Sequence, residues 1–367
     1  MTMKIFFILL PIVYLSGNVY LYWKVLQSLA GVPLWAKIVI TVMFWTAAFS
    51  MFVSIGLKDT EVPQTVQKVL YHVGSVWMVF LLYSVLLLSV FDLIRIFVPL
   101  PGSGLQYVLP VVAAVLVYGY INYRHPSINH IDITLDKEFE GELTAVAVSD
   151  IHLGHGTGPK ALKRYVDMIN ARNPDVIFIV GDLIDNSIRP LQKAPFDEVL
   201  NQLKAPMGIY MVPGNHEYIS GIDASADYLE ANTDIKLLRD EIVELPCGVR
   251  VVGRDDRSNR SRQALDSLLS GADTRKPVIV LDHQPYDLAG TDAAGVDLQI
   301  SGHTHDGQLW PLNIIVDKMY EQGHGYRKWS HAHIYVSSGL ALWGPPFRIG
   351  TKSDLAVIRL SRRNTSQ

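Results

Sequence analysis

The hydrophobic pattern divides the chain into two parts of different character. In the first 123 residues, four apolar runs cover 5–22, 38–57, 69–91 and 105–121, with prolines and glycines between them. A helix of about 20 apolar residues crosses a hydrocarbon core of roughly 30 Å. The pattern therefore predicts an all-α transmembrane region of about four helices. The alternatives are a cleavable signal peptide for the first run and a buried helical domain for the whole region.

The second part alternates short apolar runs with amphipathic segments. The runs at 143–148, 176–180 and 208–212 are typical of buried strands, and 159–172 carries an apolar face at helical spacing. This order predicts an α/β domain of stacked sheets flanked by helices. Further strands are predicted at 249–252, 278–281, 298–300, 334–336 and 355–360, and further helices at 223–232 and 264–269.

Charge separates the two parts again. Residues 1–123 hold six basic and three acidic residues, of the 32 Lys and Arg and 35 Asp and Glu in the chain. We therefore place a transmembrane region at 1–123, a linker at 124–142 and a soluble domain at 143–367. The net charge of −3 argues against a general nucleic-acid binder, which would be strongly basic. One cysteine, Cys247, excludes an internal disulfide.

Four spans would place both termini on the same side of the membrane. Basic residues next to apolar runs favour the cytoplasmic side. Lys4, Lys58, Lys68 and Arg124 lie on the side of the termini, and Lys24, Lys37 and Arg95 lie on the other. The sequence thus predicts a multi-pass membrane protein with a cytoplasmic soluble domain.

Side chains that commonly bind metals follow five of the apolar runs. Because strand-end loops are where α/β proteins place reactive groups, we expect these side chains to converge. Carboxylate, amide and imidazole ligands together suit Mn²⁺, Fe or Zn²⁺. In chain order they are Asp150 and His152, Asp182 and Asp185, Asn215 and His216, His283, and His303 and His305.

These groups, in this order, resemble the calcineurin-like metallophosphoesterase family, in its membrane-associated bacterial branch. The family's blocks read D-x-H, G-D-x-x-D, G-N-H-[ED], H and G-H-x-H, and all five occur between residues 150 and 305. The resemblance implies a four-layer α/β/β/α sandwich and a site for two divalent ions, Mn, Fe or Zn. Asp306 departs from the pattern, since that branch commonly has glycine there.

The resemblance also implies a role for each residue. Asp182 would bridge the two ions, His216 would be the general acid, and Asp185 would orient His216. His155 and Arg254 are candidate substrate contacts, although a solvated loop is an equally good interpretation of the arginine-rich segment. One ion would be held by Asp150, His152, Asp182 and His305, and the other by Asp182, Asn215, His283 and His303.

Together these features predict a metal-dependent phosphoric ester hydrolase. The membrane part makes a lipid-linked or membrane-proximal phosphoester or pyrophosphate the leading substrate hypothesis, with membrane lipids as partners and no stable nucleic-acid partner. The alternatives are a cyclic-nucleotide or nucleic-acid phosphodiesterase, and a non-catalytic membrane-anchored metal-binding sensor. The chain lacks a continuous basic and aromatic groove, which counts against a nuclease, and it keeps every ligand, which counts against a sensor.

Overall fold

The computed structural model describes residues 2–270 and 275–363, with side chains from residue 9 onward. The chain divides into two compact units. The first consists of residues 1–121 and 344–347, and the second of residues 122–343 and 348–367.

Long helices make up most of the first unit. They are α1 (Thr2–Ser28), α2 (Leu34–Gly56), α3 (Gln64–Arg95) and α4 (Leu105–Tyr123). By length and composition, α2, α3 and α4 could cross a membrane. The predicted run at 5–22 lies in α1, whose first side chains fall outside the described residues. The last two residues of α4 belong to the second unit.

An ion pair joins α1 to α3. Lys24 is 1% exposed, the side chain of Asp92 is 34% exposed, and Lys24 Nζ lies 2.5 Å from Asp92 Oδ1. The hydroxyl of Tyr20 donates to the other carboxylate oxygen of Asp92 at 2.7 Å. Charged groups among apolar helices are costly unless paired, so this pair fixes how the two helices pack together.

The described part of the second unit forms two six-stranded sheets. The strands are β1 (Ser127–Leu135), β2 (Glu142–Val148), β3 (Val176–Val180), β4 (Ile209–Val212), β5 (Ile235–Leu237), β6 (Glu241–Glu244), β7 (Arg250–Gly253), β8 (Val278–Leu281), β9 (Leu298–Ser301), β10 (Gly325–Lys328), β11 (His333–Val336) and β12 (Asp354–Arg362). The helices are α5 (Pro159–Asn170), α6 (Arg189–Gln192), α7 (Phe196–Leu200), α8 (Asn215–Ser220), α9 (Ile222–Asn232), α10 (Leu265–Leu269), α11 (Leu288–Ala293) and α12 (Leu312–Met319).

Parallel pairing dominates both sheets. The first has the order β1-β12-β2-β3-β4-β5 and the second the order β10-β11-β9-β8-β7-β6. Strands β2 to β5 run parallel to one another, as do β7, β8, β9 and β11. The predicted linker at 124–142 contains β1, which pairs parallel with β12 over its whole length.

Apolar side chains arrange the second unit in four layers. Phe178 of the first sheet and Val251 and Ile300 of the second belong to one buried cluster between the sheets. Helix α5 covers the outer face of the first sheet through residues such as Tyr165, and α10 packs on the second through Leu265. This α/β/β/α arrangement confirms the predicted fold class, and it gathers the carboxyl ends of the parallel strands.

Candidate metal centre

Backbone hydrogen bonds tie the strand-end loops to one another. The amide of Asp150 donates to Gly181 O at 3.1 Å, and the amide of His152 donates to Asp182 O at 2.9 Å. In the second sheet, the amide of Gly302 donates to His283 O at 2.9 Å. The loops therefore hold each other in place, which is what a site with fixed geometry requires.

Five of the predicted ligands lie on a left-handed backbone. The φ angles are 55° for Asp150, 48° for His152, 53° for Asp182, 71° for His303 and 51° for His305. A residue with a side chain pays about 1–3 kcal/mol for such a conformation, which persists only where the surrounding structure enforces it. Their concentration here marks the loops as a functional site.

The first group of ligand atoms comes from Asp150, His152 and His305. The Nε2 atoms of the two histidines are 3.2 Å apart. Asp150 Oδ1 lies 3.4 Å from His305 Nε2 and 3.9 Å from His152 Nε2. The three side chains thus surround a space of the size that a cation occupies.

The second group comes from Asp182, His283 and His303. Asp182 Oδ2 lies 3.2 Å from His283 Nε2. The same oxygen lies 3.8 Å from His152 Nε2 of the first group. Asp182 therefore stands between the two groups.

Buried polar atoms without a partner test whether these residues fit a metal. Among the described residues, Asn215 Oδ1 and His283 Nε2 make no hydrogen bond of good geometry, although His283 Nε2 lies 3.2 Å from Asp182 Oδ2. His283 Nδ1 faces Val180 O at 2.9 Å, so the backbone can fix the tautomer that leaves Nε2 for a ligand. An unsatisfied buried polar atom costs about 1–3 kcal/mol. A divalent cation would satisfy both atoms, and the donor set fits it.

Electrostatics at the centre follow from burial and from Asp182. Burial works against charge on His283, but the neighbouring Asp182 carboxylate raises the pKa of this histidine well above its usual range. Burial, together with the nearby His283, lowers the pKa of His303 to about 4. Burial also raises the pKa of Asp150. His303 is therefore neutral at neutral pH, which is the form that binds metals.

His216 lies at the rim of the centre beside Asp185. Its Nδ1 is 3.2 Å from Asp185 Oδ1, and its ring centroid is 4.6 Å from that of His152. Burial disfavours the imidazolium, but the carboxylates of Asp182 and Asp185 outweigh it and raise the pKa of His216 to about 9. The pair presents an oriented, protonated imidazole to the site.

Glu217 supports the centre, a role that the sequence interpretation did not identify. It is fully buried. Its carboxylate accepts from the amides of Asp182 at 3.0 Å, Ile184 at 2.8 Å and Gly214 at 2.7 Å. Burial and Asp182 raise its pKa to about 7. Its place three residues after Gly214 is that of a capping-box glutamate, which was the available signal.

Arg348 is the second residue that the sequence did not reveal. Its side chain is fully buried, and it donates to the carbonyl oxygens of His305 and Ser338. It also donates to Ser353 Oγ at 3.2 Å. Burial lowers the pKa of this guanidinium to about 10, so it remains charged at neutral pH. Arg348 thereby holds the backbone of His305, yet an isolated arginine in a loop carries no sequence signal.

The two predicted substrate contacts lie outside both groups of ligand atoms. His155 is half-buried in the loop after His152. Arg254 is 7% exposed, with Nη1 3.7 Å from Asp282 Oδ2 and Nη2 donating to Gln263 O at 2.9 Å. It lines a cavity of about 610 Å³ together with Arg257, Arg260 and Arg262.

Comparisons with known proteins show which proteins this chain resembles. A family model for calcineurin-like phosphoesterases matches residues 143–307. A Helicobacter pylori protein named as a metallophosphoesterase is 33% identical over 280 residues, which are 73% of this chain and 74% of that protein. A Danio rerio protein, named as a transmembrane protein with a metallophosphoesterase domain, is 34% identical over 283 residues, which are 71% and 64% of the two chains. The crystal structure of TT1561 from Thermus thermophilus covers 55% of this chain and 91% of its own, with 14% identity and a TM-score of 0.38.

Proposed function

This chain belongs to the calcineurin-like metallophosphoesterase family of metal-dependent phosphoester hydrolases, and from this premise we propose that it hydrolyses a phosphoester or pyrophosphate bond in a lipid-linked or membrane-proximal substrate. The observation that carries the chemistry is the position of Asp182, whose Oδ2 lies within 4 Å of histidines from both ligand groups. The lipid part of the proposal is supported by three helices that could cross a membrane.

The proposed cofactors are two divalent ions, Mn, Fe or Zn, with Asp182 shared between them. When bound, such ions supply the positive charge that stabilises the phosphoryl oxygens during an in-line displacement. Five of the proposed ligands lie on a left-handed backbone, and hydrogen bonds between the loops hold that backbone in place. The first set is Asp150, His152, Asp182 and His305, and the second is Asp182, Asn215, His283 and His303.

His216 is the proposed general acid. Asp185 engages Nδ1 of the imidazole at 3.2 Å, which orients the ring and leaves Nε2 as the atom that protonates the leaving oxygen. His216 is 9% exposed, so the ring is largely desolvated but still reachable from outside. Asp185 acts through His216 and is a positioning residue.

The proposed location is a multi-pass membrane protein with the hydrolase unit in the cytoplasm. The support is the count of basic residues on either side of the apolar runs. A cysteine introduced at the exposed position of Asp223 tests the cytoplasmic location. It is treated with a membrane-impermeant labelling reagent in intact cells and after lysis. Labelling in intact cells would contradict the cytoplasmic location.

A panel of substrates tests the proposed reaction in the purified full chain. It comprises bis-p-nitrophenyl phosphate, cyclic nucleotides, DNA and phosphoester and pyrophosphate lipids, each with Mn²⁺, Fe²⁺ or Zn²⁺ after chelation. We expect Asp182→Ala to abolish turnover of every substrate. His216→Ala should lower turnover by about 10²–10⁴-fold for poor leaving groups, and less for p-nitrophenolate. His130→Ala, at an exposed histidine, is the matched control.

The outcomes separate the alternatives. Equal turnover in the parent, Asp182→Ala and His216→Ala would refute metal-dependent hydrolysis and favour the sensor. Efficient cleavage of soluble diesters or DNA, with none of lipid substrates, would keep the hydrolase and reject the proposed substrate class.

A further inference from the structure

Exposed large apolar side chains of the second unit are concentrated in one short segment. Eight such side chains are exposed among the described residues of this unit, and five of them lie between 310 and 319. We call these five the apolar patch: Trp310, Leu312, Ile314, Ile315 and Met319. Trp310 is 51% exposed and Met319 is 55% exposed. Helix α12 has no buried residue, so the patch is not part of the described core.

The apolar patch adjoins the metal centre at both of its ends. It begins three residues after the 3₁₀ turn His305–Gly307, which contains a predicted ligand. It ends next to Tyr320, whose ring meets that of His303 edge-on at 6.3 Å. Both ends of the patch therefore lie next, along the chain, to residues that belong to or contact the metal centre.

Contacts within the second unit connect the same patch to the end of α4. The amide of Trp310 donates to Ile349 O at 2.7 Å. On either side of Ile349, the carbonyls of Arg348 and Thr351 accept from Asn122 Nδ2 at 2.9 and 2.8 Å. Asn122 lies in the last turn of α4, which is one of the candidate membrane spans. The patch thus begins beside the segment to which this helix end is bound.

The chemistry of the patch suits the interfacial layer of a bilayer. Leu312, Ile315 and Met319 share one face of α12 by their helical spacing. Exposed clusters of this kind mark interaction sites, and tryptophan is enriched where membranes meet water. The exposed charges on the helix are Asp317 and Lys318, which cancel, so no net repulsion opposes an anionic membrane surface.

We infer that the apolar patch inserts into the interfacial layer of a phospholipid bilayer and presents the metal centre to lipid-borne phosphoesters. The inference rests on the proposed function for its substrate, but not for the insertion itself. A lipid substrate would then reach the centre with its apolar part still in the membrane.

Fluorescence quenching tests the insertion directly. The full chain carries Cys247→Ser and a single new cysteine, either Ile315→Cys or the control Ile242→Cys, labelled with an environment-sensitive fluorophore. The two isoleucines are similarly exposed, at 47% and 40%. In proteoliposomes with acyl-brominated phospholipids, we expect quenching and a blue shift at 315 and neither at 242. Equal signals at the two positions would overturn the inference. If position 315 is shielded in detergent, and the shielding increases with protein concentration, the patch contacts a second copy of the chain and the inference is overturned.

Activity provides an independent measurement. The double substitution Leu312→Ser and Ile315→Ser should lower kcat/KM for a lipid phosphoester in proteoliposomes by about tenfold or more, because two apolar side chains lose their burial. Turnover of bis-p-nitrophenyl phosphate should be unchanged, and Ile242→Ser should affect neither. Equal losses on both substrates would assign the patch a structural role. If the parent cleaves no substrate, the proposed function fails, while quenching still decides the insertion.

Discussion

Replacing Glu217 with alanine should loosen the metal centre without removing a single ligand. The buried carboxylate receives three backbone amides, from Asp182, Ile184 and Gly214. Two of these amides belong to the loop that carries the shared carboxylate. Without the acceptor, the amides remain buried, and the loop loses the contact that holds Asp182 in its left-handed conformation.

The structure sets the size of this effect. Each buried donor left without a partner costs about 1–3 kcal/mol. Taking the lower value for all three, since water can enter the space, the free energy of unfolding should fall by about 3 kcal/mol. For a unit of this size that corresponds to a decrease in Tm of about 6–12 °C. Metal affinity should fall by about 10–100-fold, as is common when support around a ligand is lost. Glu217→Gln keeps one acceptor oxygen and should give an intermediate result.

The buried Cys247 gives a specific assay. It is 5% exposed and lies in the cluster between the two sheets, so a thiol-reactive dye should report the unfolding of that core. Glu230→Ala, at an exposed position on α9, is the matched control and should unfold at the parent temperature. If Glu217→Ala also unfolds at that temperature and keeps its bound metal, the carboxylate does not support the loop as we argue.

Three further predictions concern the same centre. Gly214→Ala should abolish activity, because an added Cβ would overlap Asp182 Oδ1. Turnover and metal content equal to those of the parent would contradict this close approach of Gly214 to Asp182. Arg348→Met should lower metal affinity by about 10–100-fold, because the His305 carbonyl loses its support, and Arg348→Lys should restore part of that affinity. Equal metal titrations of the parent and the two variants would refute this. Chelation should lower the temperature at which Cys247 becomes reactive, since metal present at about 1,000 times its Kd stabilises by about 4 kcal/mol; an unchanged transition would indicate that no stabilising metal was bound.

Much of the fold was predictable because the local pattern was strong. The runs at 176–180 and 278–281 match β3 and β8 residue for residue, since strands buried on both faces are continuously apolar. The short edge strands, such as β5 with three residues, were not predicted. In so short a segment, pairing with a neighbouring strand outweighs any local preference. Helix α12 was not predicted either. Its apolar residues are exposed, so they do not form the apolar stripe that is typical of a helix packed on a core.

The sequence alone predicted the order and the kind of the candidate ligand side chains, since the motifs place carboxylates and imidazoles after apolar runs. It also predicted the division into an apolar helical part and an α/β part, because hydropathy is a local property. Only the folded chain shows that Glu217 supports the Asp182 loop from 35 residues away and that Arg348 holds His305 from 43 residues away. Such roles depend on which distant amides and carbonyls are buried together. Only the folded chain, likewise, shows that the exposed apolar side chains of the second unit gather beside the metal centre, because exposure is decided by what the rest of the chain leaves uncovered.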